Sequence, residues 1–229
     1  MIFAATWLLP ILSANAMHIP DGFLTLAVAA GAWALSILAL AYAVVRTNRQ
    51  LGERQVPLMG VMAAFIFAAQ MLNFPVAGGT SGHLIGGALT AILLGPWAGM
   101  LVMTSVVAIQ ALLFQDGGLI ALGANILNMA VIACLVGHYV YVGMRRIVGR
   151  RPWANLAGAF TAAWCSVLVA SIACAVQLAI SGTSPLQIAL PAMAGIHTLI
   201  GIGEGLITVA AVAFIAATRR DLLEPQAQV

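Results

Sequence analysis

From Phe23 to Thr218 the chain is a series of long apolar runs cut by short clusters rich in Gly, Pro, Ser, Thr and Arg. These runs lack the regular polar face that a helix of a soluble domain turns to water, so each reads as a helix surrounded by lipid or by other apolar helices. A span needs ~20 predominantly apolar residues. On that rule the pattern predicts seven spans, at about 23–45, 56–73, 83–95, 97–115, 119–143, 153–180 and 189–218. The third is short and stops at Gly95-Pro96, which predicts a tight helical hairpin with the fourth. The sixth and seventh are long enough to tilt or to extend into the interface. The expected fold class is therefore an all-α, polytopic membrane protein of about seven transmembrane helices, without an internal repeat or a second domain.

Composition agrees with a lipid environment. Of 229 residues, 63% are hydrophobic and only 7% charged, more apolar surface than a water-soluble domain can hide. The formal charge of +3 raises the possibility of nucleic acid, but its placement excludes that class. There is no lysine, and the nine arginines fall into three clusters: Arg46, Arg49 and Arg54; Arg145, Arg146, Arg150 and Arg151; Arg219 and Arg220. Each cluster directly follows an apolar run, as cytoplasmic loops do under the positive-inside rule. With the N-terminus outside, seven spans put all nine arginines and the C-terminus in the cytoplasm of a multi-pass cell-membrane protein. The external connections are then 17–22, 73–82, 115–118 and 181–187. Without lysine there is no P-loop lysine, so the chain is expected to be neither an ATPase nor an enzyme. Cys134, Cys165 and Cys174 lie inside apolar runs and read as packing residues.

Residues 1–16 form an apolar stretch ending in Ala14-Asn15-Ala16, a small-x-small site of the kind that follows a signal-peptide core. No Arg or Lys precedes that core. The expectation is a cleaved leader at 1–16 and a single membrane-embedded domain at 17–229. Cleavage after Ala16, or initiation at Met17, leaves Met17-His18 as a free terminus. Such a terminus is a chelator. The Met17 amine, the His18 amide nitrogen and the His18 imidazole Nδ1 close fused five- and six-membered rings around a metal, in one plane with one position open. Tetragonal nitrogen sites suit Ni(II) or Cu(II). Inside an uninterrupted chain the amine is an amide and the site does not exist.

A fourth nitrogen is available from His83 in "NFPVAGGTSGHLIGG", behind Gly78, Gly79 and Gly82, with Thr80 or Ser81 able to support the imidazole. "MHIPDGFL", "GGTSGHLIGG" and "FQDGGLIALGANILNMA", in that order and covering nearly everything from Met17 to about Arg220, resemble the substrate-capture subunits of energy-coupling factor cobalt/nickel transporters, the CbiM/NikM family. The resemblance implies that Met17, His18 and His83 hold the divalent metal. It also implies a seven-helix fold whose N-terminus inserts into the bundle. The implied partners are a transmembrane coupling protein (CbiQ/NikQ-like), two cytoplasmic ABC-type ATPase subunits (CbiO/NikO-like) and often a small accessory membrane protein (CbiN/NikN-like). Ni(II) or Co(II) is the cargo, with no organic cofactor and no nucleic acid. Many members begin directly at Met-His, so the leader is a departure from the pattern.

Other polar positions were weighed beside this site. Glu204 and His197 face roughly the same way in the seventh span, seven residues apart, and read either as a proton or metal relay, or a switch coupled to the partner, or as a carboxylate hydrogen-bonded in the bundle interior, the last being favoured. Gln110, Asn125 and Asn128 are expected to bond between helices or to support the loops over the site. Asp21 and Asp116 read as turn formers, His138 as interfacial, and the ten scattered methionines as gap-fillers. Two other functions compete: an intramembrane Ser/His protease of rhomboid type, built on Ser81 and His197, and a stand-alone secondary metal transporter or channel.

Overall fold

A computed structural model describes residues 18–50, 55–71, 74–76, 80–149 and 151–223. Seven helices are present among the described residues: α1 (Leu26–Gln50), α2 (Gln55–Gln70), α3 (Gly87–Leu94), α4 (Pro96–Leu113), α5 (Leu122–Val148), α6 (Pro152–Ile180) and α7 (Leu186–Thr218). α1, α4, α5, α6 and α7 are long and apolar enough to cross a bilayer. A single turn of 3₁₀ helix, Arg220–Leu222, follows α7. Outside the helices, β1 (Phe74–Val76) pairs antiparallel with β2 (Thr80–Gly82), a hairpin where the sequence predicts an irregular loop.

The expected third span is corrected. Residues 83–86 are not helical and α3 has eight residues, which at ~1.5 Å each fall well short of the ~30 Å hydrocarbon core. An apolar run does not distinguish an extended strap followed by a short helix from one continuous helix, and the strap is what carries His83 into the bundle. The hairpin at Gly95-Pro96 is present: Gly95 takes φ 82°, ψ 163°, and Pro96 opens α4 with a ring already set for the first helical turn. α6 likewise starts on a proline. α5 contains a buried run of π-helix over Leu127–Ile132, between its two α-helical parts.

Helix packing follows from small residues. α3 is buried along seven of its eight positions. A Cβ on Gly87 would stand 2.7 Å from Ala133 Cβ, and one on Gly137 2.6 Å from Ala88 Cα, so α3 and α5 meet nearly backbone to backbone. This is how helices gain contact area in lipid, where apolar surface alone drives no association. Ile66, Leu89, Ile92, Met100, Met103, Val106 and Val107 fill the centre, and the two methionines occupy core gaps as expected. Large apolar side chains cover the outside, Leu38 being 68% exposed and Leu199 71%. The interior holds Gln70, Thr90, Gln110 and Glu204. Polar inside and apolar outside is the arrangement of a protein solvated by lipid.

Candidate metal centre

One end of the bundle gathers connections that are remote in sequence. Thr25 N–H donates to Ser181 Oγ over 3.2 Å, and Thr183 Oγ1 donates to the Phe23 carbonyl. Trp33 Nε1 donates to the Ile120 carbonyl and Ser36 Oγ to that of Gly123. Three of the four segments expected outside the membrane therefore meet here, the first, third and last.

The N-terminal segment is locked into this end. Ile19 N–H donates to Asn125 Oδ1 (3.0 Å), and the Ile19 carbonyl accepts from Asn125 Nδ2 (3.1 Å) and from Gly118 N–H (3.0 Å). Both backbone groups of the residue following His18 are thus fixed, in part by the Asn125 side chain. Asp21 does more than form a turn. Its carboxylate accepts from the N–H groups of Leu119 (3.0 Å), Ile120 (2.8 Å) and Ala121 (3.1 Å), at the approach to α5. These donors have no intrahelical acceptor, and a negative charge suits that helix end. Gly117 lies directly beneath His18. It holds φ +102°, and a Cβ there would come within 2.7 Å of His18 Cβ, so the position calls for glycine twice over.

His18 is 4% exposed and His83 9%, with ring centres 5.2 Å apart and planes tilted by 45°. His18 Nδ1 lies 3.1 Å from Asp116 Oδ1, and among the described residues neither ring nitrogen of His18 has an aligned hydrogen bond. Leaving a buried polar atom unsatisfied costs ~1–3 kcal/mol, so this ring gains from a further partner. Asp116, expected as a turn former, is therefore a neighbour of the site. His83 Nδ1 donates to the Leu84 carbonyl over 2.7 Å, which leaves the lone pair on Nε2. Burial, and next the adjacent His18, push the His83 imidazole down to about 4, against smaller opposing effects of the Leu84 carbonyl and Asp116. The ring is thus neutral at physiological pH, as a metal ligand must be.

The strap behind His83 is held from two sides. Glu204 Oε2 accepts from Ile85 N–H (2.7 Å) and Oε1 from Gly86 N–H (2.9 Å). Gln70 Nε2 donates to the Ile85 carbonyl (2.7 Å), and Gln110 Nε2 donates to Gln70 Oε1 (2.9 Å). Glu204 is thus the hydrogen-bonded interior carboxylate favoured from sequence. His197 donates from Nδ1 to the Met193 carbonyl over 2.7 Å, within its own helix, rather than to Glu204.

Asn128 does not reach the two histidines: it exchanges two 2.8 Å hydrogen bonds with Gln177 on α6. His138 is buried against α3 at Ala91. The side chains of Thr80 and Ser81, the whole of Met17 and the leader 1–16 lie outside the described residues. Among the described residues no three His, Cys, Asp or Glu side chains converge as a metal cluster. The His18/His83 pair offers two imidazoles side by side. Sequence reasoning missed Gln70 and the long reach of Asp21; a lone glutamine closing an apolar helix was the available signal for the first.

The lipid-facing helical bundle, with two buried imidazoles beside the segment that follows His18, is that of a multi-pass membrane protein. The chain belongs to the CbiM family, described as a cobalt uptake substrate-specific transmembrane region, which matches residues 18–222. It is 46% identical to a protein of Archaeoglobus fulgidus named as a fused nickel transport protein, NikMN, over 92% of this chain and 69% of that one. It is 32% identical to the cobalt transport protein CbiM of Sorangium cellulosum, over 91% of this chain and 95% of that one. The crystal structure of a truncated transition metal transporter superposes with a TM-score of 0.79 at 34% identity, covering 88% of this chain and 99% of that one. The family places the chain in cobalt and nickel transport.

Proposed function

We propose that this chain is the substrate-capture subunit of an ATP-driven energy-coupling factor importer for Ni(II) or Co(II). The ion is held by the liberated Met17 amine, the His18 amide nitrogen, His18 Nδ1 and His83 Nε2. The observation that carries this reading is His18: a buried imidazole, 3.1 Å from Asp116 and without an aligned hydrogen bond among the described residues, that lies 5.2 Å from a second buried imidazole whose Nε2 is left with its lone pair. Asp21 and Asn125 hold the first histidine in place, and Gln70 with Glu204 the second.

In this reading residues 17–229 are one domain in the cell membrane, with the N-terminus outside and the arginine clusters and C-terminus inside. A coupling protein in the membrane and cytoplasmic ABC-type ATPases supply the energy, with or without a small accessory membrane subunit, because this chain carries no lysine for a P-loop. The ion enters at the outer end, loses water to four neutral or deprotonated nitrogens, and is released inward when the partners tilt or reshape the bundle.

Binding of Ni(II) to the purified protein, measured by calorimetry, tests the ligand set. His18→Ala and His83→Ala are each expected to lower affinity by more than the ~10–100-fold typical of outer-shell losses. Wild-type affinity in either variant contradicts the assignment.

A further inference from the structure

We propose that Glu204 is a positioning residue for His83, through which α7 sets the affinity of the metal site. This rests on the reading of His83 as a ligand. The non-helical residues 84–86 lie inside the bundle, where water is not available to satisfy their backbone groups. Ile85 and Gly86 are buried, and their two consecutive N–H groups go to the two oxygens of one carboxylate, at 2.7 and 2.9 Å. A carboxylate engaged twice fixes direction as well as distance, so the peptide planes two and three residues from His83 are held against rotation. Gly86 occupies the left-handed region at φ 82°, and a Cβ there would collide with Ile66, so the strap packs closely against α2. Gln70, braced by Gln110, holds the Ile85 carbonyl on the opposite side.

The rest of α7 packs mainly along α6, with a small contact to α3. Glu204 is thus the polar link between the last helix and the segment that carries the second imidazole, 119 residues earlier in the chain. α7 also approaches α6 closely at this level: a Cβ on Gly205 would strike the Phe160 ring, and one on Gly201 would press on Trp164. The carboxylate is therefore held at a fixed depth by its own helix. A displacement of α7 moves the strap, and with it His83 Nε2.

The test is a double-mutant cycle on the full-length purified protein, with Ni(II) as the probe. Affinity is read by calorimetry and coordination by the visible absorption of bound Ni(II). E204Q keeps the volume and one acceptor but loses the second, and is expected to weaken binding about tenfold and to shift the absorption, as a misplaced nitrogen does. In an H83A background E204Q is expected to change affinity by less than about twofold, because the two residues act on one ligand. If E204Q does not accumulate, E204D carries the same cycle. Unchanged affinity and absorption in E204Q, or effects of E204Q and H83A that simply multiply, overturn the proposal while leaving His83 a ligand. Unchanged affinity in H83A alone overturns the ligand assignment and this inference with it.

Discussion

Asp21 and Glu204 do the same work at two depths. Each is a carboxylate that gathers consecutive backbone N–H groups from a remote segment, and each thereby holds the chain next to one of the two site histidines. Asp21 sits in the N-terminal segment, exposed, and takes three donors ahead of α5. Glu204 is 2% exposed and takes two donors ahead of α3. Water can replace Asp21, but nothing can replace Glu204. The two clamps therefore differ in what their loss costs. The buried one holds the fold and the second imidazole together, whereas the exposed one mainly orders the entrance.

Five outcomes sharpen or break that comparison. Glu204→Ala strands two buried N–H groups at ~1–3 kcal/mol each, so it is expected to lower the melting temperature most and to raise hydrogen exchange at the amides of Ile85 and Gly86. Protection elsewhere at the same level would show that the strap has another anchor. Gly117→Ala forces a side chain into a left-handed backbone and against His18 Cβ. It is expected to weaken Ni(II) binding at least tenfold, more than it lowers stability, in a comparison of titration with melting. Acid comes next. His83 is held to about 4 when folded, against 6.5 for a free imidazole. Between those values the unfolded chain takes up a proton that the folded site refuses, so metal-free stability falls as pH drops from about 6.5 to 4. His83→Gln is expected to flatten that part of a stability–pH curve. Asp21→Asn keeps one acceptor of two, and should cost ~1 kcal/mol as cap substitutions do; a loss as large as that of Glu204→Ala would erase the distinction between the clamps. Arg219→Ala removes a fully exposed ion pair with Asp221, and no change in melting temperature is expected.

Much of the fold was legible because lipid solvation leaves a coarse mark. Long apolar runs gave α1, α4, α5, α6 and α7, Gly95-Pro96 gave the turn into α4, and connections read as external do meet at one end of the bundle. His18 and His83 were legible from the Met-His and GGTSGH motifs, and their rings do lie together. The eight-residue α3 was not, since hydropathy alone does not mark where an extended strap becomes a helix. Nor were the two clamps. Asp21 meets its donors 98 to 100 residues away and Glu204 meets its own 118 and 119 residues away. Periodicity records which face of a helix is apolar, and it carries no trace of which distant amide a carboxylate will find. Asn125 and Asn128 show the same limit: three residues apart on one helix, they bind the N-terminal segment and Gln177 respectively.

The mass of the intact protein, recorded under native conditions before and after adding Ni(II), bears most directly on the claim that a freed terminus completes the site. The expected result is a polypeptide beginning at Met17 that gains one metal ion and loses that gain when its amine is acetylated. A polypeptide that still carries residues 1–16 and takes up one ion as tightly would contradict it.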